Sequence, residues 1–170
     1  GPIRRNMGLR TFFNMLGPIV NPAKPAYQLI GVYNLEMARI YNYAMQSLGK
    51  EFTLIHSLDG YDEISLTSDT KIISNKGEFI MTPYQLGKRK VFPEELYGGN
   101  TVEAAATLFK KIIQGNGSWS QNAVVLANAA MALQLTGQYE NYEAAFQAAV
   151  KSLESGAANN CLNQLISLQK

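Results

Sequence analysis

The sequence predicts an α/β fold: a mixed sheet with a parallel βαβ unit, a β-hairpin and C-terminal helices. Three observations predict it. An apolar strand signal, an amphipathic helix and a second apolar strand signal follow one another between residues 27 and 56. Shorter strand signals continue to about residue 97, two of them flanking a Gly-containing turn. From 98 to 170 the apolar residues recur at helical spacing behind capping residues.

Each element follows from its local chemistry. Residues 1–26 hold four basic residues (Arg4, Arg5, Arg10, Lys24), no acid, and Pro2, Pro18, Pro22 and Pro25, so most of this zone reads as loop. Tyr27 to Tyr33 reads as a buried strand carrying Leu29, Ile30 and Val32. A helix follows, with Asn34 as N-cap, Glu36 in the first turn where the helix dipole favours an anion, and Gly49 just past the end. Met37, Ile40, Tyr41, Ala44, Met45 and Leu48 form its apolar face. Glu51 to His56 is the second strand, and a βαβ connection makes the two strands parallel. Beyond the loop 57–62, strand signals appear at Ile64–Leu66, Lys71–Ser74 and Glu78–Thr82; the last two flank Asn75-Lys76-Gly77, read as a three-residue hairpin turn. Asn100 with Glu103, and Ser118 with Gln121, form capping pairs for two helices closed by Gly115 and Gly137. Tyr142 to Leu153, ended by Gly156, marks a third helix, and Leu162, Leu165 and Ile166 mark a last one.

Composition narrows the function classes. At 170 residues the chain has the size of one globular domain, about 100–200 residues. The apolar share is 46% and the charged share 16%, which excludes intrinsic disorder. Fifteen basic against 13 acidic residues leave a net charge of +2, too even to argue for nucleic acid or membrane binding through charge. One cysteine, Cys161, excludes a disulfide framework and a Cys-based zinc site and suits a reducing cytoplasm. The most apolar stretch, Ala123–Leu135, falls short of the roughly 20 residues a membrane span requires. Pro18 and Asn21-Pro22 break the apolar run after Arg10, against a secretory signal. The chain opens on Gly1-Pro2 without a Met, as an internal stretch of a longer protein or added residues would.

Three groups of residues have the chemistry of a site. Asp59-Gly60-Tyr61-Asp62-Glu63 places three acids in five residues beyond the carboxyl end of the second strand, where open α/β sheets bind ligands. Magnesium is usually held by one or two carboxylates plus substrate phosphates, a pair that Asp62 and Glu63 could supply, but acidic turns are common and on spacing alone a solvated turn is the stronger reading. The arginines of the acid-free opening zone suit a carboxylate or phosphate, or simply water. Leu16-Gly17-Pro18 with Asn21-Pro22 fixes a rigid turn, fit for chain reversal or for a wall against an aromatic ligand. Lys88-Arg89-Lys90 reads as a solvated face, His56 as a strand-end histidine, and Trp119 as core or helix-cap packing. Neither G-x-G-x-x-G nor G-x-x-x-x-G-K-[ST] occurs.

The run from Ile3 to Pro22, with Arg10-Thr11, Phe13-Asn14 and Leu16-Gly17-Pro18 in it, resembles the R-T-x-F-N-x-L-G-P-x-x-N-P signature of the anthranilate phosphoribosyltransferases, within the nucleoside phosphorylase/phosphoribosyltransferase-like glycosyltransferases. His56-Ser-Leu-Asp-Gly-Tyr-Asp-Glu63 resembles their H-G-x-D-G-x-D-E loop, Met81 to Gly87 their T-P-x-x-x-G segment, and Asn122 to Leu133 their V-x-L-N-A-A helix. Ser57 stands where that loop usually has Gly, and Tyr61 where an aliphatic is commoner. The resemblance implies Mg²⁺ on Asp62 and Glu63 carrying the pyrophosphate of phosphoribosyl pyrophosphate, Arg4 on the carboxylate of anthranilate, and Gly17-Pro18 along the anthranilate channel. It implies transfer of the phosphoribosyl group to anthranilate in tryptophan biosynthesis, with no nucleophile and no covalent intermediate. It also implies that residues 1–170 are the C-terminal part of the α/β catalytic domain, without the family's N-terminal helical domain and Gly-rich phosphate loop, and are inactive alone. The full-length protein would be a homodimer and the fragment a monomer. Two other readings are a pyrimidine nucleoside phosphorylase, which should lack the Asp62-Glu63 pair, and a non-catalytic nucleic-acid-binding relative using Lys88–Lys90.

Overall fold

The computed structural model describes residues 16–169. Arg4, Arg5, Arg10 and the first half of the opening motif lie outside the described residues. In order, the described elements are β1 (Tyr27–Gly31), α1 (Leu35–Ser47), β2 (Glu51–Ser57), β3 (Thr70–Ser74), β4 (Gly77–Met81), α2 (Pro83–Gly87), a 3₁₀ turn (Pro93–Leu96), α3 (Val102–Ile113), α4 (Trp119–Leu135), α5 (Tyr142–Glu154) and α6 (Ala157–Leu168).

The sheet order is β1-β2-β3-β4. The first pair is parallel, with Tyr27 opposite Glu51 and Gly31 opposite Ile55, and the other two pairs are antiparallel. A βαβ unit followed by a hairpin is thus the observed topology. β2 is buried from Phe52 to Ser57, as a central strand covered on both faces must be. One face, with Ile30, Phe52, Leu54 and Ile73, packs on Met37, Ala38, Tyr41 and Met45 of α1. The opposite face, with Ile55 and Ile72, packs on Ala123, Ala127 and Met131 of α4 together with Ile64, Leu66, Leu86 and Val91. Helix, sheet and helix form three layers. Ala130 of α4 meets Ala145 and Phe146 of α5 in a third cluster.

The caps carry most of the helix boundaries. Asn34 accepts the Met37 N–H at 2.8 Å, and Ser118 with Gln121 makes a full capping box ahead of α4. Three expectations are corrected. The Asn100–Glu103 pair gives way to Thr101, whose hydroxyl accepts the Ala104 N–H at 3.1 Å, because Asn100 instead accepts from the Tyr97 phenol. The hairpin loop has two residues, since Ser74 pairs with Gly77, which enters β4 at φ +121°. Ile64–Leu66 is not a strand: the side chain of Asn128 takes both main-chain polar groups of Ile64, and Leu66 turns at φ +60° while its carbonyl accepts from Val91 N–H at 2.9 Å. The short helix α2, with its Thr82/Gln85 capping box, has no counterpart in the sequence reading.

Among the described residues, no helix is long and apolar enough to cross a membrane. Several surfaces are left open among the described residues, β1 and one C-terminal helix among them. β1 forms an open parallel edge, and α3 buries none of its residues, leaving Val102 80% and Phe109 52% exposed.

Candidate active site

The acidic loop leaves β2 at Ser57, the carboxyl end of the strand, and returns as β3 at Thr70. Its shape is set by main-chain ties back to Ser57. The Ser57 N–H donates to the Tyr61 carbonyl at 2.9 Å, and its carbonyl accepts from Gly60 N–H at 2.9 Å. Gly60 sits at φ +104°, a conformation that glycine adopts without the strain of a side chain. Leu58 N–H donates to the Asp69 carbonyl at 2.9 Å, closing the base of the loop.

β1 supplies the floor. The Asp62 carbonyl occupies the place where a side chain on Gly31 would stand; a Cβ there would lie 1.6 Å from that oxygen. The absence of a side chain at the last residue of β1 therefore seats Asp62 and Glu63 over the carboxyl ends of both parallel strands, the expected ligand edge of such a sheet.

The three acids of the loop part company. Asp59 accepts from the Thr67 hydroxyl, whose oxygen lies 2.7 Å from the Ser65 hydroxyl. Asp62 and Glu63 remain exposed, and among the described residues no cation pairs with either. The Glu63 carboxyl is pushed above its ordinary value of 4.5, first by desolvation and then by the charge of Asp62. Two adjacent exposed carboxylates are hard oxygen donors, the type Mg²⁺ takes together with phosphate and water. No group of three or more His, Cys, Asp or Glu that could hold a metal occurs among the described residues, so a protein-only cage is not offered.

His56 is 6% exposed, and its Nδ1 lies 2.8 Å from the Val32 carbonyl, so it ties β2 to the chain after β1 and faces no open site. Gly17 and Pro18 lie elsewhere. The Pro18 carbonyl accepts from Gln28 near the amino end of β1, beside a cavity of about 380 Å³ that also touches Pro22, Leu48 and Lys50. No acidic-loop residue lines that cavity, so the described residues do not bring Gly17-Pro18 and Asp62-Glu63 together. In the basic cluster, Lys88 pairs with Glu143, while Arg89 pairs with Glu95 at 3.1 Å and lies over the Trp119 ring at 4.1 Å. Trp119, 48% exposed, is thus a stacking partner at the start of α4 and not core.

Sequence reasoning missed Gly31, Ser57 as a structural hub, and the grip of Asn128 on Ile64. Gly31 carried a readable signal, a glycine ending an apolar strand; the other two carried none beyond their polar type.

The comparisons agree with this geometry. The family model described as "Glycosyl transferase family, a/b domain" matches residues 1–159. The chain is 46% identical over its whole length to an anthranilate phosphoribosyltransferase of Christiangramia forsetii, covering 51% of that protein. It is 48% identical over 97% of its length to one from Flavobacterium johnsoniae, covering 50%. The chain therefore spans about half the length of the curated relatives it matches. Among solved structures, the anthranilate phosphoribosyltransferase of Thermus thermophilus superposes with a TM-score of 0.85 at 29% identity, over 98% of this chain and 50% of that one. The Saccharomyces cerevisiae enzyme in complex with PRPP and Mg gives 0.85 at 25% identity, over 98% and 48%. With a family model spanning nearly all of its residues and the same helix–sheet–helix layers in solved relatives, the chain belongs to the glycosyl transferase family by its a/b domain.

Proposed function

We propose that this chain is the C-terminal part of the catalytic domain of an anthranilate phosphoribosyltransferase, acting in tryptophan biosynthesis. The reading is carried by one observation: a carboxylate pair with no cation among the described residues, Asp62 and Glu63, seated over the carboxyl ends of two parallel strands. Relatives with this name and a structural neighbour complexed with PRPP and Mg support it.

In this reading the anthranilate amine displaces pyrophosphate from the anomeric carbon of phosphoribosyl pyrophosphate. Asp62 and Glu63 would hold Mg²⁺, which when bound would supply Lewis-acid neutralisation of negative charge on the leaving pyrophosphate. Arg4 would hold the anthranilate carboxylate, and Gly17-Pro18, apart from the acid pair near the amino end of β1, would line the outer path by which the acceptor enters. The contribution of these residues is orientation and charge, so the chemistry asks for no nucleophile. The N-terminal helical domain and Gly-rich phosphate loop would lie in the rest of the protein. In the same reading the whole protein is a cytoplasmic homodimer.

The test is Asp62→Ala and Glu63→Ala in the full gene product. Loss of a Lewis acid worth several kcal/mol should lower kcat/KM by about a hundredfold or more. The Mg²⁺ concentration needed for half-maximal rate should rise as well. Activity lost with no change in Mg²⁺ or phosphoribosyl pyrophosphate dependence would remove the metal assignment. A nucleic-acid-binding role is not favoured, since Lys88 and Arg89 are engaged within the fold.

A further inference from the structure

Two consecutive peptide units bracket the α-carbon of Glu63, and each is held from outside the loop. The first, Asp62–Glu63, has its carbonyl seated against Gly31 of β1. The second, Glu63–Ile64, is gripped at both polar ends. Its carbonyl accepts the Ser57 hydroxyl at 2.6 Å, and its N–H donates to Asn128 Oδ1 at 3.0 Å.

Both gripping side chains are themselves fixed. Ser57 is fully buried at the end of β2; its oxygen also accepts the Ser65 N–H at 3.2 Å and lies 3.3 Å from Thr70 Oγ1. Asn128, on α4, donates from Nδ2 to the Ile64 carbonyl at 2.9 Å and to the Val124 carbonyl at 2.9 Å. A flipped amide would set donor against donor at the Ile64 N–H and acceptor against acceptor at its carbonyl, so only one orientation satisfies the site.

With the Glu63–Ile64 plane fixed at both polar ends and the Asp62 carbonyl packed against Gly31, the backbone angles of Glu63 are confined, and with them the direction in which its side chain leaves the main chain. We propose that Ser57 and Asn128 are positioning residues: they clamp the Glu63–Ile64 peptide so that the direction of the Asp62–Glu63 carboxylates toward a divalent cation is set by β2 and α4. This inference rests on the reading of that pair as a cation site. Neither residue touches the cation or a substrate. Their effect is transmitted through the peptide they hold, as outer partners of metal ligands transmit theirs.

The experiment measures binding without turnover in the full gene product. Free Mn²⁺ is followed by electron paramagnetic resonance, with phosphoribosyl pyrophosphate present and anthranilate omitted. Ser57→Ala and Asn128→Asp should each weaken Mn²⁺ binding about tenfold. In a Glu63→Ala background the same substitutions should change the remaining affinity by less than about twofold, because the group they orient is gone. Circular dichroism and thermal midpoints report folding in parallel. Should Asn128→Asp fail to fold, Ser57→Ala, which deletes one atom, still decides. A lowered thermal midpoint with Mn²⁺ affinity unchanged in the original background would show a merely structural role and overturn the clamp. If Asp62→Ala and Glu63→Ala themselves leave Mn²⁺ binding unchanged, the cation site fails, and the clamp fails with it. If those two abolish binding while Ser57→Ala does not weaken it, the clamp alone fails.

Discussion

Gly31→Ala is the smallest change that tests whether the loop is seated by contact with β1. The new methyl group would stand 1.6 Å from the Asp62 carbonyl oxygen and 2.7 Å from its carbon. To restore even a 3.0 Å separation from the oxygen, the two segments must part by about 1.4 Å, and both contact atoms on the loop side are backbone. Two responses are open. If the loop lifts, it strains the ties from Ser57 to the carbonyls of Tyr61 and Glu63, each worth about 1 kcal/mol. If β1 yields, its pairing with β2 is disturbed at Gly31 and Ile55. Either way, overpacking of this kind costs about 1–3 kcal/mol. The expected result in the full gene product is a loss of that size in urea denaturation, together with weaker Mn²⁺ binding. Gly17→Ala is the internal control, because a Cβ there meets no described residue within 4 Å. It should leave stability unchanged or raise it by up to about 1 kcal/mol through the unfolded chain. A Gly31→Ala variant that matched the parent in both denaturation midpoint and Mn²⁺ affinity would refute the seating argument.

Two further outcomes are expected. Desolvation and the charge of Asp62 raise the Glu63 carboxyl above its ordinary value of 4.5, so stability falls as pH rises through that value, the penalty is complete once pH exceeds the raised one, and it is absent in acid well below 4.5. Glu63→Gln should therefore raise stability slightly at pH 7, with the gain vanishing under acid. Denaturation curves at the two pH values would check it, and a gain that persists at low pH would contradict it. The 170 residues alone, with β1 an open edge and α3 bare, should show no anthranilate consumption by fluorescence; measurable turnover would show that the site needs nothing more.

Much of the fold was legible because its signals are local. Asn34, Ser118 and the glycines at 49, 115 and 137 mark helix ends within a turn of where they occur, and the apolar runs of β1 and β2 mark a parallel pair. The Ile64–Leu66 error has the opposite origin. Those residues are apolar and buried, as a strand would be, but their main-chain partners come from Asn128 and Val91, at distances along the chain that no local pattern encodes. The same holds at the site. Asp62 and Glu63 stood out by residue type and by their place after a strand. What could not be read was that Asp59 is already engaged by Thr67, and that a missing side chain at Gly31 makes room for the loop.

The grip of Asn128 on Ile64 spans 64 positions of sequence, and this has a temporal meaning. A contact of that separation closes late, after β2, β3 and α4 have formed and the helix has docked on the sheet. The βαβ unit and the hairpin can pair as soon as their own residues are free, yet the acidic loop waits for a helix about seventy residues downstream of β2 to arrive. Its final support is thus a late event in folding, and undocking of α4 removes the Asn128 hold while the ties to Ser57 remain. The Ile64 amide, whose partner sits on that helix, is a natural clock for this step: its hydrogen exchange reports how often the loop comes loose while the rest of the sheet remains paired.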